Sequence, residues 1–89
     1  MGTHDKHKQV REILEVLDNC TEPIGANLIF RNATTSENLI RTRMCELEEC
    51  GFLIGFPHRR DRRSGIRVKY LMMPIGRDLL RYLRWVDQE

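Results

Sequence analysis

Two short runs of this 89-residue chain have the pattern of β-strands, and they are neighbours in the sequence. Phe52-Leu53-Ile54-Gly55-Phe56 is apolar and bounded by Gly51 and Pro57, while Ile66, Val68, Tyr70 and Met72 alternate with Arg67, Lys69 and Leu71. The other periodic stretches have helical spacing. Since one hairpin alone is barely stable in water, a chain built this way must lay it against helices. At this length the whole chain, 1–89, is expected to be one domain with a single modest core. The fold class that follows is α+β, mainly α: three helices, a two-stranded β-hairpin over 52–72, and a C-terminal helix.

The helices are read from spacing and punctuation. Val10, Ile13, Leu14 and Leu17 recur at i, i+3, i+4 and i+7, which predicts a first helix over 5–19. Pro23 interrupts that pattern and suits the first turn of a second, shorter helix over 24–31, with Ile24, Leu28 and Ile29 on its buried face. Thr34-x-x-Glu37 has capping-box spacing and predicts a third helix over 35–50, ended by Gly51 and carrying Ile40, Met44 and Leu47 as its core stripe. Pro74 opens the last helix, 74–86, with Ile75, Leu79, Leu80, Leu83 and Val86 apolar and Arg77, Arg81 and Arg84 on the other side.

Charge is concentrated. Between Arg59 and Lys69 there are six cations against one anion, Asp61, although the chain as a whole nets only +2. Four of those cations, Arg59, Arg60, Arg62 and Arg63, fall in the stretch from His58 to Gly65 that reads as the hairpin tip. Local positive charge of this kind suits contact with a nucleic acid rather than a generally cationic surface. Glu46, Glu48 and Glu49 form an acidic cluster well before it.

A short helix, a turn and a longer helix make the helix-turn-helix plan, in which the second helix enters the DNA major groove. The side of the third helix opposite its core stripe carries Asn38, Thr42, Cys45 and Glu49, with Thr35 and Arg41 beside it; of these, Thr35, Asn38, Arg41, Thr42 and Cys45, together with Ser36, are the candidate DNA-facing residues. Arg41 would pair with guanine and Asn38 with adenine, while Thr42 would meet a base or a phosphate. Arg59, Arg60, Arg62, Arg63 and Arg67 would follow the sugar-phosphate backbone or enter the minor groove.

Leu39-Ile40-Arg41-Thr42-Arg43-Met44-Cys45-Glu46-Leu47-Glu48-Glu49-Cys50-Gly51-Phe52-Leu53 and Arg67-Val68-Lys69-Tyr70-Leu71-Met72-Met73-Pro74-Ile75-Gly76-Arg77-Asp78-Leu79-Leu80 carry a resemblance to a known family. The chain resembles the winged helix-turn-helix regulators, in particular the MarR-like and HxlR-like transcription factors of bacteria and archaea. Small archaeal and viral repressors share that fold. Met73 stands where the family usually has a threonine. The resemblance implies a non-enzymatic, DNA-binding regulator of transcription, usually homodimeric, and the polar N-terminus makes the cytoplasm the expected location. The third helix would read double-stranded DNA and the wing would touch the adjacent backbone or minor groove, with repression the expected sign.

The last helix points toward a second copy. Its apolar residues spread over a wider arc than one core contact needs, so Leu79, Tyr82, Leu83, Trp85 and Val86 are the expected dimer interface.

Other chemistry has less support in the residues. The chain has no nucleophile elbow, P-loop or dinucleotide fingerprint, so neither an enzyme nor a cofactor is expected. Its apolar runs fall short of a membrane span, and its polar N-terminus lacks the apolar stretch of a secretory signal. Cys20, Cys45 and Cys50 form no C-x-x-C pair and are expected as reduced thiols; oxidation of Cys45 or Cys50 as a switch is the weaker reading. A metal site from His4, His7 and Cys20 lacks a spacing that fixes a third ligand. The alternative to DNA binding is a winged-helix module that offers its basic wing to RNA or to an acidic protein surface.

Overall fold

The computed structural model describes residues 2–61 and 65–88, with side chains described for 6–56 and 68–88. Helix α1 spans Gly2–Asp18, strand β1 Ile24–Gly25, helix α2 Ala26–Asn32, helix α3 Glu37–Glu49, strand β2 Leu53–Asp61, strand β3 Gly65–Met72, and helix α4 Pro74–Asp87. The sheet is antiparallel in the order β1-β3-β2, with β3 at its centre. One core joins all four helices to the base of the hairpin. Ile13, Leu14 and Leu17 of α1 meet Ile29 of α2, Ile40, Met44 and Leu47 of α3, Leu53, Met72, and Leu80 and Leu83 of α4.

β1 is an element that hydropathy spacing does not reveal. Ile24 and Gly25 pair with Tyr70 and Lys69, so the expected start of the second helix is a two-residue strand and α2 begins at Ala26. Two residues cannot display a period, and only the central position of β3 makes them a strand. The shift turns α2 so that Ile29 is fully buried while Leu28, expected inside, is 40% exposed.

The hairpin is longer than its sequence suggested. Pairing runs from Leu53↔Met72 to Asp61↔Gly65, with a register shift between Pro57 and Arg59. Proline has no N–H to give to a ladder and is tolerated at a bulge on an edge strand, which is where Pro57 sits. Arg59 and Arg60 therefore belong to β2 rather than to the loop, and Arg59 faces Arg67 across the ladder.

The junction after α3 fixes how the parts meet. Gly51 takes φ +83°, Phe52 N–H donates to Leu47 O at 2.9 Å, and Gly51 N–H donates to Glu48 O at 3.1 Å. This pair of bonds terminates α3 in the left-handed conformation that glycine adopts without strain. Phe52 O in turn accepts the Met73 N–H at 2.9 Å. A Cβ on Gly76, in the first turn of α4, would lie 2.4 Å from that same oxygen, so only glycine fits there.

The expected capping box does not form. Ser36, not Thr34, is the N-cap of α3, and its side chain makes no capping bond. The Thr34 hydroxyl and amide instead donate to the carboxylate of Glu12 on α1, which ties the α2–α3 turn to the first helix. Glu37 is left to engage Arg41.

Candidate nucleic-acid interface

α3 presents the predicted readers on one open face. Ser36, Asn38, Arg41, Thr42 and Cys45 are exposed, and Thr35 is half-buried in the preceding turn. The Thr42 hydroxyl donates to Asn38 O at 3.0 Å, a bond back onto its own helix that leaves the oxygen's lone pairs outward. Arg41 is held in place. Its Nη2 donates to Glu37 Oε1 at 2.7 Å, and its Cζ lies 4.8 Å from the centre of the Phe30 ring on α2.

Of the acidic cluster at the end of α3, Glu46 is tied to the α1 side of the helix. Arg43 donates twice to Glu46 at 2.7 Å and also to the buried Gln9 Oε1 at 3.0 Å, while Lys6 stands 3.5 Å from Glu46. The Arg43 hydrogen bonds hold the Glu46 carboxyl below the usual carboxylate range. Burial, reinforced by the negative charge of Glu48, pushes the Tyr70 hydroxyl up.

Arg59 and Arg60 lie in β2 and Arg67 in β3 by backbone, at the far end of the hairpin from the core. Their side chains, together with Arg62 and Arg63, fall outside the described residues. Phe56, the last residue of β2 whose side chain is described, is 41% exposed.

α4 divides into three faces. Leu80 and Leu83 are buried, so Leu83, expected at a dimer surface, packs in the core of its own chain. Ile75, Tyr82 and Trp85 are 52%, 56% and 57% exposed, and the Tyr82 and Trp85 rings lie 6.2 Å apart, with Leu79 and Val86 half-buried alongside. The third face carries the arginines that the sequence sets opposite the apolar residues, and two of them meet α1. Arg84 grips Glu15 and Asp18 of α1, Arg77 approaches Asp18 at 4.0 Å, and Arg11 of α1 pairs with Asp87. A groove of about 920 Å³ runs beside α4, with Val10, Leu47, Phe52, Leu79 and Tyr82 among its walls.

Among the described residues, no group of three or more His, Cys, Asp or Glu side chains is placed to hold a metal ion, and no helix is long and apolar enough to cross a membrane. Cys20, Cys45 and Cys50 are free thiols.

Phe30 and Glu37 join the candidate site through the structure. The Glu37-x-x-x-Arg41 spacing could have been read as a helical ion pair. Nothing in the sequence brings a ring from α2 under Arg41.

No protein-family model and no curated protein sequence matches the chain. Solved structures do. A PadR-like transcription factor from Bacteroides fragilis superposes with a TM-score of 0.78 at 16% identity, over 97% of this chain and 85% of that one. The chain has a winged-helix fold. A winged-helix PadR family transcription regulator from Clostridium difficile gives a TM-score of 0.67 at 15% identity, covering 90% of this chain and 91% of its own. A MarR family transcription regulator gives 0.69 at 20% identity over 90% of this chain. This winged-helix chain spans half the length of that regulator.

Proposed function

We propose that the chain is a sequence-specific, double-stranded DNA-binding regulator of transcription, with α3 in the major groove and the arginines of the wing on the adjacent backbone or minor groove. The observation that carries this reading is the open polar face of α3, with Asn38, Arg41 and Thr42 all exposed toward its N-terminal half. Amides at a helix N-terminus favour phosphate, and the first turns reach base edges. The dense positive charge of the wing supplies the sequence-independent attraction that duplex binding requires. Similarity in fold to PadR and MarR family regulators supports the same reading.

Two copies acting together complete the proposal. The exposed Ile75, Tyr82 and Trp85 face of α4, with Leu79 and Val86 beside it, would pair across a two-fold axis and set two α3 helices on successive major grooves. Repression by occupying the site is the mode we expect, and the cytoplasm is where it would take place.

Selection of bound duplexes from a random pool tests the reading. Enrichment of a palindromic site is the expected result. Failure to enrich any duplex, with binding instead to single-stranded RNA or to an acidic protein, would replace it with the interaction-module alternative.

A further inference from the structure

Among the described residues, Arg41 is the candidate reader whose side chain is fixed by a neighbouring element. Its guanidinium lies over the Phe30 ring, 4.8 Å from ring centre to Cζ, and its Nη2 donates to Glu37 at 2.7 Å. An i to i+4 ion pair is ordinary on a helix. A second anchor from a different helix is not, and it makes the conformation of Arg41 a property of the α2–α3 packing rather than of α3 alone. Phe30 is itself half-buried and packed against the core, so the platform is not free to follow the arginine.

We infer that Phe30 and Glu37 are positioning residues that make Arg41 a base reader and keep it from serving as a phosphate anchor; the inference rests on the DNA-binding reading above. Two physical effects act in the same direction. Stacking orders a long side chain before DNA arrives, so less conformational freedom is lost when its planar donors meet a base edge. The Glu37 carboxylate leaves the local charge near zero and would repel a phosphate. A guanine edge needs aligned donors more than net charge, so the pair suppresses attraction to any backbone while retaining the fork that recognises guanine. Phe30 holds that fork in place, and Glu37 sets its selectivity.

The test uses the full chain and two duplexes: the best sequence from the random-pool selection, and the same duplex altered at the base pair for which Arg41→Ala loses preference. Phe30→Leu keeps an apolar side chain but removes the aromatic face, and is expected to reduce the preference between the two duplexes about two- to fivefold. Phe30→Tyr should restore it. In an Arg41→Ala background, where that preference is already gone, Phe30→Leu should leave affinity for the selected duplex unchanged, whereas a purely structural role for Phe30 would weaken binding to it equally in both backgrounds. Glu37→Gln is expected to tighten binding to both duplexes, narrow the preference, and steepen the salt dependence by about one phosphate's worth, near 0.9 in slope. Wild-type preference in Phe30→Leu, or its full effect persisting without Arg41, overturns the inference and leaves the DNA reading standing. A wild-type chain that binds every duplex equally overturns both.

Discussion

Arg84 of α4 donates Nε to Glu15 Oε1 at 2.8 Å and Nη2 to Glu15 Oε2 at 2.9 Å, a two-pronged clasp that closes the last helix onto the first. The hydrogen bonds from Arg84 hold the Glu15 carboxyl below its ordinary value of 4.5, against an opposing contribution from burial. A carboxylate depressed in the folded state contributes stability above its unfolded pKa and loses it as pH falls through the folded value. Stability is therefore expected to decline in acid below about pH 4.5. Glu15→Gln should cost about 1 kcal/mol at neutral pH, a figure kept small because the side chain is 36% exposed, and should flatten the acid decline. Urea unfolding of both proteins across that range checks this; parallel pH curves would mean that the clasp adds nothing to stability.

Gly76→Ala is expected to destabilise the fold even though alanine favours helix by about 1 kcal/mol over glycine. The new methyl would meet the Phe52 carbonyl at 2.4 Å, and neither α4 nor the start of β2 can retreat without opening the core. A net loss of about 1–3 kcal/mol should appear in thermal unfolding. A stabilised variant would show that this junction yields more easily than its close packing implies.

Trp85→Glu and Tyr82→Glu place charge on the exposed apolar face of α4 without touching the buried Leu80 and Leu83. Analytical ultracentrifugation should show a dimer for the unaltered chain and a monomer for either variant, with helix content by circular dichroism unchanged. An unaltered chain that sediments as a monomer at micromolar concentration would remove the paired arrangement.

The wing and α3 should separate by function. Arg59→Ala and Arg62→Ala are expected to weaken binding to all duplexes alike and to reduce the salt slope by about 0.9 for each phosphate no longer neutralised. Asn38→Ala and Arg41→Ala should mainly relax base preference, each by roughly 1–3 kcal/mol of discrimination. Equal loss of preference from both sets would contradict this division.

Where the sequence was legible, the reason is local physics. Val10, Ile13, Leu14 and Leu17 announce α1 because a buried helix face repeats, and Gly51 announces the end of α3 because few residues tolerate φ +83°. What stayed hidden depends on partners distant in sequence. β1 exists only because Tyr70 and Lys69 offer it a ladder, and Thr34 turns to Glu12 because α1 passes within reach. Helical spacing sets Arg84 away from the apolar side of α4, and only the packing of α1 brings Glu15 and Asp18 opposite it. In the candidate site, Asn38, Arg41 and Thr42 could be named from helical geometry, whereas the Phe30 platform under Arg41 required the packing of α2 on α3.

The main chain of Phe52 has a mechanical consequence. Its N–H closes α3, its carbonyl receives Met73, and Gly76 rests against the same oxygen, so a single residue forms the knuckle between α3 and α4. In a pair joined along α4, the angular phase between the two reading helices would be set by this knuckle, and one base pair inserted between half-sites would turn them out of phase by about 35°. Such a protein would act as a gauge of DNA helical phase as much as a reader of its bases.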